Sequence, residues 1–240
     1  MEIRGFQRVT VIDYPDRIAS VLFVPGCNMR CPFCHNSDLV FRKYSNLAEY
    51  SEEEVLAKLE ESKGFIEGVA ITGGEPTLQP DIKAFLTKCK KLGLLVKLDT
   101  NGTNPDILKD LVSSGLVDYV AMDIKAELGP QSYKRAIGVD SDMLFHKVTE
   151  SANFLKGSGI EYEFRTTAVP GIVNSDSLVE IARAVRGAKA YYIQQFKPGN
   201  NLDPGYAKIK PHAPEDLLDA RDRILKEGLV GKCEVRGLSQ

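Results

Sequence analysis

Residues 26–36 read Gly26-Cys27-Asn28-Met29-Arg30-Cys31-Pro32-Phe33-Cys34-His35-Asn36, and they follow the apolar, β-branched run Ile18-Ala19-Ser20-Val21-Leu22-Phe23-Val24-Pro25. A buried strand that runs into a C-x3-C-x2-C loop sets the first unit of the fold, because in a parallel βα array chemistry collects at the carboxyl ends of the strands. Three thiolates on one tight loop suit an iron–sulfur cluster that wants four ligands and receives three. Zinc would need a fourth ligand, and His35 is adjacent. Neighbouring residues rarely both reach one tetrahedral ion, however, and the sequence holds no second C-x2-C pair. A structural or electron-transfer cluster normally has four cysteines, so the missing fourth points to a cluster that binds a substrate.

Outward from that loop, strand-like and helix-like stretches alternate. Ser51 opens a helix with Glu54 as its capping-box partner, followed by Val55, Leu56 and Leu59. Residues 68–72 form a short strand ending in two glycines, Pro80 opens the next helix, and residues 94–99 form the next strand. Asn104 and Pro105 start a third helix, with Ile107, Leu108, Leu111 and Val112 facing inward. Strands are predicted over 117–123, 161–169 and 190–196, and helices over 144–156, 174–185 and 214–226. The result is about six βα units, the pattern of a parallel sheet with helical crossovers. The expected class is α/β, a partial (β/α)6 open barrel, since six units are too few for the eight-stranded form. The segment before Ile18 reads as a small N-terminal hairpin turning at Tyr14-Pro15-Asp16, and residues 197–214, rich in Pro, Gly and Asn, read as a loop. No repeat or interdomain linker interrupts the pattern, so one domain over 1–240 is expected.

Composition narrows the function. Hydrophobic residues make up 43% and charged residues 27% of 240 positions, ordinary for a soluble enzyme. The formal charge of −2 gives no bulk attraction to nucleic acid. There is no apolar run of transmembrane length and no signal-peptide core at the N-terminus, so no membrane partner is expected and the cytoplasm is the expected location. Clustered cysteines in a reducing cytosol read as metal ligands rather than disulfides. Cys89 shares a helical face with Ile82, Phe85, Leu86 and Leu92 and reads as a buried structural thiol. Cys233 lies in a strand-like tail and carries no assignable role.

Polar groups recur at the strand ends. Gly73-Gly74-Glu75-Pro76 is either a tight turn or a place where backbone meets a ligand, with Glu75 offering a carboxylate to an ammonium. Asp99-Thr100-Asn101-Gly102 either caps the next helix or takes ribose hydroxyls or a cation. Asp123 and Lys125, two apart, point to one face and form either a salt bridge or part of a site. Arg165, inside Glu163-Phe164-Arg165-Thr166, needs an anion: Asp123, Glu163 or a ligand carboxylate. Gln194-Gln195 lies in the sixth strand. His146 and His212 read as surface residues.

Taken together these residues resemble the radical S-adenosylmethionine superfamily, whose hallmark is the C-x3-C-x2-C loop with an aromatic at Phe33. Within it, Asp13-Tyr14-Pro15, Gly26-Cys27-Asn28, Cys34-His35-Asn36, Asp99-Thr100-Asn101-Gly102, Asp123-Ile124-Lys125 and Val169-Pro170-Gly171 are similar to the glycyl-radical-enzyme activases. The nearest likeness is to activases of anaerobic ribonucleoside-triphosphate reductase, with the pyruvate formate-lyase activases beside them. The resemblance implies that Cys27, Cys31 and Cys34 bind three irons of a 4Fe-4S cluster whose open iron takes S-adenosyl-L-methionine. It implies that Glu75, with the Gly73 and Gly74 backbone, holds the ammonium, and that Lys125 and Arg165 hold the methionine carboxylate. Asp99 and Asn101 would lie by the ribose or a monovalent cation, with Asp123 beside them, and Phe33 and Val169 would border the adenine. The implied partners are a glycyl-radical enzyme, anaerobic ribonucleotide reductase first, and a flavodoxin- or ferredoxin-type electron donor. Two features depart from the pattern. Asp16 stands where many relatives have Gly after Tyr-Pro, and Gln194-Gln195-Phe196-Lys197 replaces the Pro-Tyr-His run common in pyruvate formate-lyase activases. Competing readings are a pyruvate formate-lyase-type activase, a radical enzyme for a small molecule, and a non-enzymatic metal-binding regulatory protein.

Overall fold

The structure, a computed structural model, describes residues 1–238. The described residues form eight strands and eight α-helices, in the order β1 (Gly5–Thr10), β2 (Ala19–Val24), α1 (Ser37–Phe41), α2 (Glu52–Glu61), β3 (Gly68–Gly73), α3 (Ile82–Lys91), β4 (Leu95–Thr100), α4 (Pro105–Ser113), β5 (Tyr119–Asp123), α5 (Pro130–Ile137), α6 (Asp142–Gly157), β6 (Glu161–Ala168), α7 (Ser175–Ala184), β7 (Tyr191–Gln195), α8 (Pro214–Lys226) and β8 (Cys233–Arg236). The strands follow one another in the sheet in chain order from β1 to β8, so the sheet is open and mostly parallel. Strands β2 to β7 are the six expected from the sequence. β1 adds the antiparallel hairpin, pairing Gly5 with Phe23 and Thr10 with Ala19, and β8 adds a further parallel strand beside β7.

The chain divides into two compact units. The first comprises 1–28, 38–100 and 106–121; the second comprises 29–37, 101–105 and 122–240. In the first, β2, β3 and β4 run parallel in register, Val24 opposite Gly73 and Ile71 opposite Leu98. Their near-continuous burial is that of strands covered on both faces. Ser51 caps α2 by accepting from the Glu54 N–H at 3.0 Å, one half of the expected capping box, while the Glu54 carboxylate pairs with Lys58 instead of returning to the Ser51 N–H. Helix α3 turns Ile82, Phe85, Leu86 and Cys89 inward. Cys89 is fully buried, and burial pushes its thiol up to about 12, so it is inert at neutral pH.

In the second unit β6, β7 and β8 run parallel, placing Thr167 opposite Gln194 and Gln194 opposite Arg236. Helices α7 and α8 supply its core through Leu178, Ile181, Leu217 and Ile224. Cys233 is buried at the start of β8, and burial lifts its thiol to about 12.

The turn at Tyr14-Pro15-Asp16 explains one departure from the family pattern. Asp16 has φ +59°, a left-handed conformation that glycine enters without cost. Asp16→Gly is therefore expected to raise stability by about 0.5–1 kcal/mol, the relief of left-handed strain outweighing glycine's extra unfolded-state entropy. Urea denaturation checks it, and a midpoint lowered by the substitution would contradict it.

Candidate active site

Each unit carries polar groups of its own. In the first, β3 ends against the backbone that leads into Cys27. Gly74 N–H donates to the Val24 carbonyl at 2.8 Å, Glu75 N–H to the Gly26 carbonyl at 2.8 Å, and Gln79 Nε2 to the Pro25 carbonyl at 2.8 Å. Only glycine permits this approach. A Cβ on Gly73, where φ is +123°, would stand 2.4 Å from the Val24 oxygen, and one on Gly74 would stand 2.0 Å from the Gly26 oxygen. What the glycine pair admits is thus the chain just ahead of the first cysteine.

Glu75 is fully buried. Its Oε1 accepts from Thr77 N–H at 3.1 Å, Thr77 Oγ1 at 2.6 Å and Thr100 Oγ1 at 2.8 Å, so the carboxylate is an internal anchor joining the ends of β3 and β4. Asp99, at the end of β4, pairs with Lys97, a lysine 2% exposed within that strand. The sequence signal for Lys97 is a charge in the middle of the apolar run Leu95-Val96-Lys97-Leu98, which strand periodicity alone does not single out.

In the second unit a cavity of about 440 Å³ is lined by Phe33, Cys34, His35 and Asn36 on one side and by Asp123, Lys125, Arg165, Thr167, Gln194, Gln195, Lys197, Arg236 and Gly237 on the others. Asp123 sits between two cations, accepting from Arg165 Nε at 2.8 Å and Lys125 Nζ at 2.9 Å. Burial alone would raise the Asp123 carboxyl, but Arg165 and then Lys125 outweigh it and hold the group well below the usual carboxylate range. Burial likewise disfavours the Lys125 ammonium, and Asp123, Cys31 and Cys34 together overcome this and raise it. The three side chains carry a net charge of +1 on the cavity wall. A carboxylate is the kind of group that two such cations bind.

Glu163 engages Arg236. It is 1% exposed and takes a bidentate pair from Arg236 at 2.8 and 2.9 Å, while the Arg236 guanidinium lies 3.3 Å from the Tyr192 ring centroid. Thr167, Gln194 and Arg236 form one row across β6, β7 and β8 on the cavity wall. Arg236 was missed in the sequence because it follows the short strand-like tail Lys232-Cys233-Glu234-Val235, whose partner in the sheet the sequence does not disclose. Val169 is fully buried in the turn after β6, its carbonyl accepting from the Ile172 and Val173 N–H groups, and lies outside the cavity lining. Asn101 is buried, with Oδ1 accepting from Thr103 N–H at 3.0 Å and Thr103 Oγ1 at 2.6 Å. His146 is exposed, whereas His212 is half-buried with Nε2 2.8 Å from the Val173 carbonyl.

The donor set suits an iron–sulfur cluster. None of the three loop cysteines is in a disulfide. Cys31 and Cys34 lie close enough to the Lys125 ammonium to act on it, so a cation stands beside two of the three candidate ligands. The loop backbone is fixed independently of any metal: Arg30 N–H donates to the Ile137 carbonyl at 2.7 Å and Cys34 N–H to the Cys31 carbonyl at 3.0 Å.

Comparison with known proteins agrees. Residues 21–185 match the model of the Radical SAM superfamily. A protein of Methanocaldococcus jannaschii bearing the name of a glycyl-radical enzyme activating enzyme is 32% identical over 94% of this chain and 92% of its own. The pyruvate formate-lyase 1-activating enzyme of Escherichia coli K12 is 28% identical over 72% of this chain and 70% of its own. Among solved structures, SuiB of Streptococcus suis bound to S-adenosylmethionine superposes with a TM-score of 0.65 at 17% identity, over 90% of this chain and 52% of SuiB, so the chain spans about half of that protein. Archaeal TYW1 superposes with a TM-score of 0.52 at 15% identity, over 87% of this chain and 71% of its own. No helix among the described residues is long and apolar enough to cross a membrane. The family uses a 4Fe-4S cluster and S-adenosyl-L-methionine, and the non-enzymatic reading falls. A thiolate loop at the end of β2, in an open parallel sheet and among such relatives, places this chain in the radical S-adenosylmethionine superfamily, among its glycyl-radical-enzyme activating enzymes.

Proposed function

We propose that this enzyme cleaves S-adenosyl-L-methionine reductively and sets a glycyl radical on anaerobic ribonucleoside-triphosphate reductase, taking its electron from a flavodoxin- or ferredoxin-type donor in the cytoplasm. The observation that carries the cofactor site is the Asp123-Lys125-Arg165 trio, net +1, sharing one cavity with Cys34 and Phe33. Cys27, Cys31 and Cys34 would hold a 4Fe-4S cluster, which would supply one electron for cleavage of the sulfonium C–S bond to methionine and a 5′-deoxyadenosyl radical, the species that would take a hydrogen atom from glycine. The residues of this chain bind and orient. Lys125 and Arg165 hold the methionine carboxylate, with Asp123 fixing both cations. Glu75, with the Gly73 and Gly74 backbone, stands by the ammonium, and Phe33 and Val169 by the adenine. Asp99 and Asn101 serve the ribose or a monovalent cation. No side chain acts as acid or base, and the protein's share is orientation and exclusion of water. The whole of 1–240 is read as one catalytic domain.

Gln194 and Gln195 on the cavity wall favour the reductase over pyruvate formate-lyase, whose activases tend to carry Pro-Tyr-His there. The second reading, a pyruvate formate-lyase-type activase, draws on the Escherichia coli relative. The test is anaerobic reconstitution, chemical reduction, and assay for 5′-deoxyadenosine, followed by electron paramagnetic resonance of each candidate partner. A glycyl-radical signal on the reductase is expected. No 5′-deoxyadenosine would overturn the cofactor assignment, and a signal on pyruvate formate-lyase alone would move the partner.

A further inference from the structure

The segment after β7 does more than connect. Leu202 N–H donates to the Cys34 carbonyl at 2.8 Å, Asp203 N–H to the Pro32 carbonyl at 2.8 Å, and Asn201 Nδ2 to the Phe33 carbonyl at 2.9 Å. Three consecutive carbonyls of the cysteine loop are thus held by three consecutive residues, with Asn201 168 positions from Phe33. Asn201 is the one side chain among these donors, and it is itself fixed. It is 5% exposed, its Oδ1 accepts from Gly199 N–H at 3.1 Å, and its own N–H donates to the Gly199 carbonyl at 2.9 Å. Removing the amide leaves a buried carbonyl between Cys31 and Cys34 without this donor, a loss that a turn this short absorbs by rotating.

We propose that Asn201 is a positioning residue for the Cys31–Cys34 turn, setting how firmly and in what electronic state that turn holds its iron. The proposal rests on the cluster site above. Groups that orient metal ligands without touching the metal commonly change its retention by about 10–100-fold when removed.

The experiment compares wild type with Asn201→Ala and Asn201→Asp, the latter keeping the side-chain volume and the acceptor for Gly199 while turning an oxygen toward the Phe33 carbonyl. With reconstituted protein, both variants are expected to lose iron to a chelator about tenfold faster than wild type or more, and to show an altered electron paramagnetic resonance spectrum when reduced. Thermal unfolding of the metal-free proteins reads the purely structural effect and is expected to move by only a few degrees. Wild-type stripping rates and spectra in both variants would overturn the proposal, as would changes that merely follow a large drop in unfolding temperature. If wild type itself retained no iron, the cluster reading would fail. The clamp would then be read from the alkylation rate of Cys34 in the metal-free proteins, expected to rise several-fold in both variants; an unchanged rate would overturn it.

Discussion

Replacing Gly74 with alanine is expected to cost about 4 kcal/mol or more, placing it among the most damaging single substitutions this protein admits. The new Cβ would stand 2.0 Å from the Gly26 carbonyl oxygen and 2.7 Å from its carbon. Both are backbone atoms, so no rotamer relieves the clash. Separation of the chains would break the bonds from Gly74 N–H to Val24 and from Glu75 N–H to Gly26, each 2.8 Å. It would also strain the Glu75 carboxylate, which is anchored on Thr77 and Thr100. Two weakened backbone bonds account for about 1–3 kcal/mol, and steric displacement of two packed strand ends supplies the rest. In a domain of this size that lowers the unfolding temperature by about 8–16 °C. Gly157→Ala is the matched comparison. Gly157 closes α6 with nothing within 4 Å of where the new methyl group would stand, and alanine there is expected to be neutral or stabilising by up to about 1 kcal/mol. Calorimetry of the two variants decides it, and a Gly74→Ala protein within 1 kcal/mol of wild type, about the cost of one hydrogen bond, would show that the close approach is not required.

That glycine pair shows what the sequence discloses and what it withholds. Gly-Gly at a strand end announces close approach, but it does not say what approaches, because the neighbour belongs to a strand about fifty residues earlier. The strands themselves were legible, since buried parallel strands read as continuous apolar runs, and residues 18–25 became β2 at Ala19–Val24. Helix α5 was overlooked although its punctuation was present: Pro130 opens it, Gly138 closes it at φ +64°, and Tyr133, Ala136 and Ile137 form its buried stripe. The polar surroundings of that segment masked a stripe only three residues long. β5 begins two residues later than expected because Asp118 leaves the regular ladder; its carboxylate accepts from Val96 N–H and from Lys90. Within the candidate site, Asp123, Lys125 and Arg165 were legible because strand ends in a parallel array face one rim. Asn201 and Arg236 were not, because a loop asparagine and an arginine in a four-residue strand gain meaning only from partners brought in by the sheet.

Asp123→Asn is the second large effect, and here stability and catalysis separate. The carboxylate offsets two cations whose side chains are 12% and 18% exposed, and asparagine removes the negative charge that both share. A fully buried pair broken this way costs about 3–5 kcal/mol; partial solvent contact brings the expected loss at pH 7 to about 2–3 kcal/mol. The pH dependence gives a second signature. The folded carboxyl lies below its unfolded value, so its contribution is fully present above the unfolded value near 3.9 and is lost as pH falls toward the folded one. Wild type should therefore lose stability below about pH 4, where the unfolded chain takes up a proton that the folded one refuses. The variant lacks that slope, and the gap between the two proteins should narrow in acid. Denaturant titrations at pH 7 and pH 3 measure it, and a gap that stayed constant would mean that Asp123 is not ionised between its two cations. For catalysis, asparagine can accept a hydrogen bond from one cation but presents an N–H to the other, so Lys125 and Arg165 no longer hold a common geometry. The S-adenosyl-L-methionine concentration for half-maximal cleavage is expected to rise about tenfold, since the lost alignment of a charge-assisted pair outweighs the extra positive charge. If that concentration stays at the wild-type value while stability falls as expected, the trio is a brace within the second unit that does not touch the cofactor, and the methionine carboxylate must be held by other cations of the cavity, Lys197 and Arg236 first.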